Sequence, residues 1–145
     1  MILVDTNLLV YAFDSRASEH EAALSWFEGV LGGPHRVGLP WEVTMSFVRL
    51  ATNVRMFRDA VTMPQAWQQV QQWLSSPVAW VPTATPDHAA LVEHLLTTPG
   101  LKSDDVPDVH LAALALGHGL ELQSHDSGFA RFPNLRWSDP LRVAG

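Results

Sequence analysis

The chain has 145 residues, of which 47% are hydrophobic, and it contains no cysteine. This length and composition predict one globular domain over residues 1–145 and exclude disulfides, cysteine nucleophiles and cysteine-ligated zinc. Fifteen acidic residues against nine lysines and arginines give a net charge of −6, which disfavours broad electrostatic binding of nucleic-acid phosphates unless an acidic pocket holds a cation. Neither a basic and apolar leader nor an apolar run of about 18 residues is found, so we expect a cytoplasmic protein with no membrane partner.

Short apolar runs predict the strands. The first run, residues 2–4, is too short for a helix and suits a buried strand. Similar runs predict strands at 36–39, 78–81 and 120–124, with a short edge strand at 135–137. Because these strands alternate with helical segments, we predict an α/β fold, a three-layer α/β/α sandwich around a mostly parallel sheet of four or five strands.

Helical periodicity and end signals predict six helices between the strands. The second helix begins at the capping-box sequence Ser18-Glu19-His20-Glu21, and the fifth begins at Thr85-Pro86, an N-cap followed by a first-turn proline. Residues 97–106 are predicted to form a loop, and Gly119 is predicted to end the last helix. The predicted helices cover residues 6–13, 18–31, 41–54, 62–74, 85–96 and 108–118.

Four acidic residues fall where predicted strands and helices meet. Asp5 directly follows the first strand, and Asp126 follows the strand at 120–124. Glu42 and Asp108 lie in the first turns of helices, and Asp108 shares a helical face with apolar residues at i+3, i+4 and i+7. Open α/β sheets bind their ligands at the carboxyl ends of the strands, so we expect the four acids to converge on one sheet edge.

For each acid taken alone, a structural role remains open. The helix dipole favours an acid in a first turn by about 0.3–1 kcal/mol, and Asp5 is able to cap the helix that follows it. The coincidence of four acids at one edge favours a shared site instead. Clustered carboxylates repel each other unless a cation intervenes, and oxygen ligands suit Mg²⁺ or Mn²⁺. Ions of this kind serve the hydrolysis of phosphodiesters.

At these positions the sequence resembles the PIN-domain ribonucleases of the VapC type, which are toxins of bacterial VapBC toxin–antitoxin pairs. The family's opening, an apolar strand followed by Asp-Thr-Asn or Asp-Thr-Ser, matches Val4-Asp5-Thr6-Asn7, and its second acid matches Glu42. Its third and fourth regions match residues 106–115 (VPDVHLAALA) and 122–129 (LQSHDSGF). The ending FPNLRWSDPL is typical of one branch of these toxins, whereas residues 55–100 are generic.

The resemblance implies an endoribonuclease that depends on Mg²⁺, with Mn²⁺ as a second suitable ion. It also implies RNA as the substrate, a small VapB-type antitoxin as a partner, and a homodimer. The metal ligands and catalytic residues that it implies are Asp5, Glu42, Asp108 and Asp126, and their implied neighbours are Thr6, Asn7 and Ser124.

Secondary candidates come from the positions of single residues. Asp105 lies just before Asp108 and is placed to reach a metal through a water molecule. Arg49 shares a polar stripe with Glu42, and it would either bind a phosphate from the cleft or face solvent. His110 and His125 are expected to be neighbours of the site.

The sequence disfavours one rival function and leaves a second one open. Aspartyl phosphatases also place an aspartate after a strand, but they need a second aspartate two residues later, where this chain has Asn7. The alternative that stays open is a PIN-like module that binds metal, RNA or an antitoxin without cleavage.

Overall fold

A computed structural model describes residues 1–142 of the chain. Within that range, five strands alternate with six α-helices. The strands are β1 (Ile2–Val4), β2 (Val37–Gly38), β3 (Ala79–Trp80), β4 (Glu121–Gln123) and β5 (Trp137–Ser138). The helices are α1 (Thr6–Phe13), α2 (His20–Leu31), α3 (Trp41–Ala51), α4 (Met63–Leu74), α5 (His88–Leu95) and α6 (Val106–His118). None of these helices is long and apolar enough to cross a membrane.

The five strands form one parallel sheet in the order β3-β2-β1-β4-β5. The chain moves outward from β1 through β2 to β3 and then returns to the other side of β1 as β4. Because crossovers between parallel strands are right-handed, the helices before β3 cover one face of the sheet and those before β4 cover the other. The packing agrees, since α1 contacts α2 and α3, α3 contacts α4, and α5 pairs with α6. The predicted α/β class is confirmed.

The reversal of direction makes the β1–β4 pair the switch point of the sheet. Connections leave the carboxyl ends of these two strands toward opposite faces, and this divergence opens a crevice beyond the strands. Asp5 follows β1 directly, and Ser124 follows β4 directly. The topology therefore brings residues from the two ends of the sequence to one crevice.

The core lies against both faces of the sheet and includes an aromatic cluster around Phe47. Leu3 of β1 and Leu122 of β4 are fully buried. Phe47 of α3 is also fully buried, and its ring meets Phe13 of α1 edge to face at a centroid distance of 5.3 Å and Trp73 of α4 at 4.8 Å. These edge-to-face pairs connect three helices through a single side chain.

Two predicted helix starts are wrong because the side chains expected to cap them do not do so. At the start of α2, the Ser18 hydroxyl donates to the carboxylate of Glu19 at 2.9 Å, so no capping box forms and the helix begins at His20. At the start of α5, the Thr85 hydroxyl is buried against Gly117 of α6 and caps nothing. That helix begins three residues later than predicted, at His88.

Other boundaries also differ by a few residues. The predicted loop at 97–106 contains a 3-10 turn at Ser103–Asp105, and α6 begins at Val106. Helix α3 ends at Ala51, so Val54 lies outside its buried face and is 80% exposed. Gly119 does end α6, in the left-handed conformation (φ 66°) that glycine adopts without strain.

Candidate metal and catalytic site

The carboxylate of Asp5 is fixed at the switch point by two hydrogen bonds. It caps α1, accepting from the backbone N–H of Thr6 at 2.8 Å, and its other oxygen accepts from the Ser124 hydroxyl at 2.7 Å. Burial raises the pKa of Asp5; the bonds from Ser124 and Thr6 partly oppose this, and the charge of Asp126 raises the pKa again. Asp5 therefore both caps α1 and belongs to a cluster of acidic side chains.

Ser124 connects the carboxyl ends of β1 and β4. Its fully buried hydroxyl donates to Asp5 and accepts from the side-chain amide of Asn7 at 3.2 Å and from the backbone N–H of Asp126 at 3.0 Å. A hydroxyl offers one donor and two acceptor sites, so its capacity is fully used. The amide oxygen of Asn7 accepts in turn from the backbone N–H of His125 at 3.3 Å. Asn7 and Ser124 therefore brace the first acid and the segment that carries the last one.

Asp108, in the first turn of α6, carries a strongly shifted pKa. Burial, and then the charges of Asp5 and Asp126, raise this pKa to about 6, and Arg131 acts in the opposite direction. Asp5, Asp108 and Asp126 come from three distant segments, yet the charge of Asp126 raises the pKa of both Asp5 and Asp108. The structure thus brings three of the four predicted acids into one electrostatic cluster.

The fourth acid, Glu42, lies in the first turn of α3 and lines the same cleft as Asp5 and Asp108. Its carboxylate accepts from Nε2 of His110 at 3.0 Å. The cleft has a volume of about 240 Å³, and its polar lining consists of Asp5, Thr6, Glu42, Ser46, Arg49, Asp108 and His110. The predicted neighbours Thr6 and Arg49 are therefore in the cleft with three of the acids.

Two predicted residues, Asp126 and Asp105, do not line the cleft. Asp126 is exposed beside the cleft, and its carboxylate accepts from the backbone N–H of Gly128 at 2.8 Å. Asp105 accepts from the backbone N–H of Lys102 at 2.8 Å and pairs with Arg131 at 2.9 Å. The Lys102 bond, followed by Arg131, lowers the pKa of Asp105. A water-mediated metal contact by Asp105 stays a prediction.

Arg131 lies beside the predicted acids, although the sequence analysis does not predict it as a site residue. Its guanidinium lies 2.9 Å from Asp105 and 3.9 Å from Asp108, at the end of a 3-10 turn that starts at Ser127. The available signal is a cation five residues after Asp126 in an otherwise acidic chain. It is a weak signal, because no helix or strand periodicity relates this residue to the acids.

The donor set fits a hard divalent cation, although no three acidic or histidine side chains within residues 1–142 are already arranged to chelate one ion. Burial and mutual repulsion raise the pKa values of Asp5 and Asp108, which is the effect that a bound cation reverses. Oxygen donors alone favour Mg²⁺ or Mn²⁺. Binding would require the carboxylates to rotate toward one another, and the ligand assignment stays a prediction.

Comparison with known proteins identifies the family. Residues 2–135 match the family described as PIN domain. Ribonuclease VapC37 of Mycobacterium tuberculosis is 40% identical over 140 residues, which cover 97% of this chain and 97% of the relative. The chain belongs to the VapC branch of the PIN-domain family. Ribonuclease VapC33 of the same species is 37% identical over 142 residues, covering 98% of this VapC-family chain and 99% of the relative.

Solved structures share the fold of this VapC-family protein. VapBC2 of Rickettsia felis, bound to a DNA fragment from its promoter, matches with a TM-score of 0.70 at 20% identity, over 96% of this chain and 98% of that chain. VapC20 of Mycobacterium tuberculosis, a sarcin–ricin loop cleaving toxin, matches with a TM-score of 0.67 at 19% identity, over 94% and 99%. The family likeness predicted from the sequence motifs is confirmed.

The raised pKa of Asp108 predicts that Asp108→Asn stabilises this VapC-family protein when metal is absent. In the fold the pKa rises from 3.8 to about 6, so the contribution of Asp108 to stability is fully present below about pH 4 and is lost as the pH rises through 6. Asparagine stays neutral, so the variant should gain about 1–2 kcal/mol at about pH 7.5, less than the full shift because the side chain is 28% exposed.

Urea unfolding in excess chelator, at about pH 4.5 and pH 7.5, measures this gain. The advantage of the variant should grow between the two values. Equal free energies of unfolding for variant and wild type at the higher pH would contradict the raised pKa.

Proposed function

We propose that this chain is a divalent-metal-dependent endoribonuclease and the toxin of a type II toxin–antitoxin pair. The observation that carries the proposal is the clustering of Asp5, Asp108 and Asp126 at the switch point of the sheet, with the pKa of Asp108 raised to about 6. Relatives that match nearly the full length of the chain are named ribonucleases, which supports RNA as the substrate. These two findings together disfavour a module that binds without cleaving.

The residues of the cleft would hold the ion and direct the reaction. Asp5 and Asp108 are the principal ligands in this proposal, and Glu42 and Asp126 complete the set. When bound, Mg²⁺ or Mn²⁺ would activate a water for attack on the phosphodiester and offset charge on the phosphate. A carboxylate with an oxygen not bound to the ion would accept the proton of the attacking water.

In this proposal, two arginines beside the acids would bind RNA phosphates. Arg49 lines the cleft, and Arg131 lies 3.9 Å from Asp108 with 30% of its side chain exposed. Their guanidinium groups would pair with phosphate oxygens and position the backbone of the substrate. Local cations of this kind allow an acidic protein to bind RNA without a broad basic face.

We further propose a VapB-type antitoxin as a partner and a homodimer as the assembly. The support is apolar surface on α3 and α4. Trp41 and Met45 are each 45% exposed and Met63 is 68% exposed, while Trp41 stacks on Trp67 at a centroid distance of 6.2 Å. Exposed apolar surface of this kind is typical of protein–protein contacts.

The direct test is cleavage of RNA by purified protein from which any bound partner has been removed. Cleavage should require Mg²⁺ or Mn²⁺, fall to background in excess chelator, and return when either ion is restored. Cleavage at an unchanged rate in excess chelator would contradict metal dependence. Growth arrest on expression, relieved by Asp108→Asn, would distinguish a toxin from a non-cleaving module.

A further inference from the structure

A chain of hydrogen bonds runs from the cleft into the pair of helices on the other face of the sheet. Nε2 of His110 lies 3.0 Å from the carboxylate of Glu42, and Nδ1 of His110 lies 3.0 Å from Nε2 of His88. The two imidazole rings meet edge to face, with centroids 4.9 Å apart. Glu42 belongs to α3, His110 to α6 and His88 to α5, so the series of hydrogen bonds spans three separate helices.

The direction of the hydrogen bonds in this series depends on which atoms are able to donate. An ionised Glu42 only accepts, so Nε2 of His110 must donate to it. The other ring nitrogen of a neutral His110 is then an acceptor, and Nε2 of His88 donates to that nitrogen. This leaves Nδ1 of His88 as an acceptor, and it is buried with no hydrogen-bond partner among the described residues.

The reverse direction is less favourable. It would make Nδ1 of His88 a buried N–H donor without a partner, which costs about 1–3 kcal/mol. Burial, and then the neighbouring His110, lower the pKa of His88, while the charge of Glu42 partly opposes them, and the net lowering favours the neutral ring. The Nε2–H tautomer at both histidines is therefore the arrangement that leaves no buried donor unpaired.

We propose that His110 and His88 are positioning residues, which hold the Glu42 carboxylate toward the cleft that contains Asp5 and Asp108. His110 contacts Glu42 directly, and His88 fixes the tautomer and ring orientation of His110. The inference rests on the proposed function, because it assigns these histidines to the support of one of its ligands. Outer partners of this kind typically contribute about 10–100-fold to metal affinity or activity.

The first test detects the tautomers and needs no metal or RNA. Long-range ¹H–¹⁵N correlation spectra of the metal-free protein, recorded where both rings are neutral, should show the Nε2–H form for His88 and His110. Glu42→Ala should shift the His110 ring resonances, while the folded state is checked by circular dichroism. An Nδ1–H form at either histidine, or His110 resonances unchanged in Glu42→Ala, would overturn the proposal.

The second test separates positioning from packing. His88 lies outside the cleft lining, and glutamine preserves a donor near the position of Nε2 whereas leucine does not. We expect His88→Leu to weaken Mn²⁺ binding, measured by calorimetry without RNA, by about tenfold, and RNA cleavage by a similar factor. His88→Gln should remain within about twofold of wild type. The exposed His94 on the same helix provides the matched control, His94→Leu, which should match wild type.

The outcomes also distinguish this inference from the proposed function. If wild type binds Mn²⁺ but cuts no RNA, a weaker affinity in His88→Leu alone still supports positioning, while the nuclease proposal fails. If leucine and glutamine at position 88 weaken Mn²⁺ binding equally, or if wild type binds no Mn²⁺, the positioning role is wrong.

Discussion

Asp108→Asn should reduce RNA cleavage by roughly a thousandfold or more while the protein stays folded. A metal ligand supports several kcal/mol of transition-state stabilisation, and each 1.36 kcal/mol corresponds to a factor of ten in rate. Asparagine keeps the size of the side chain but removes the charge that attracts the cation. Cleavage of a defined RNA in saturating Mg²⁺ or Mn²⁺, with circular dichroism of the same preparations, measures the effect.

The matched control is Asp104→Asn, which removes the same charge four residues earlier. Asp104 is exposed and makes no side-chain hydrogen bond or ion pair within the described part of the chain. This control should cleave at nearly the wild-type rate. Equal losses in the two variants would mean that net charge near the cleft, and not the Asp108 carboxylate, determines activity.

Asp5→Asn should abolish cleavage as well, but with an additional structural effect. The two carboxylate oxygens of Asp5 accept separately from Thr6 and Ser124, and an asparagine retains only one acceptor oxygen. The Ser124 hydroxyl already accepts from Asn7 and Asp126, so it has no site left for a new amide donor. Asp108→Asn is therefore the cleaner test of the metal site.

Phe47→Ala should destabilise the fold by about 3–5 kcal/mol, a large fraction of the stability of a domain of this size. The Phe47 ring is fully buried and packs on Phe13 and Trp73, so truncation loses apolar contacts and leaves a cavity between three helices. We expect the midpoint of thermal unfolding to fall by about 10 °C. Urea denaturation monitored by tryptophan fluorescence gives the free energy directly.

Met45→Ala on the same helix is the control for Phe47→Ala. Met45 is 45% exposed, and its truncation should change the free energy of unfolding by about 0.5 kcal/mol or less. A loss below about 1 kcal/mol in Phe47→Ala would show that the neighbouring rings collapse into the space.

Much of the fold was predictable because its signals are local. The apolar runs of β1 and β4 and the helical periodicity of α3 and α6 identify their elements without reference to the rest of the chain. The alternation of strands and helices then determines the parallel sheet, and the switch point follows from its strand order. Asp5 and Asp108 were accessible to sequence reasoning because they lie at such junctions.

The wrong predictions depend on contacts between distant or competing side chains. Thr85 has the local signature of an N-cap, but its hydroxyl is buried against Gly117 of another helix, which no local pattern reveals. The pairing of Arg131 with Asp105 and Asp108 was missed for the same reason, since it forms only after the last segment folds onto α6. Ser18 is an example of competition between neighbours in sequence. Its hydroxyl donates to the adjacent Glu19 carboxylate and therefore does not cap the helix.

The bond from Ser124 to Asp5 joins residues 119 positions apart in sequence. During synthesis, the first acid therefore emerges from the ribosome long before its serine partner, and β1 has no β4 beside it until most of the polypeptide has been translated. A nascent chain cannot assemble the cleft in that interval. The cleft around Asp5 thus stays incomplete until β4 has been translated.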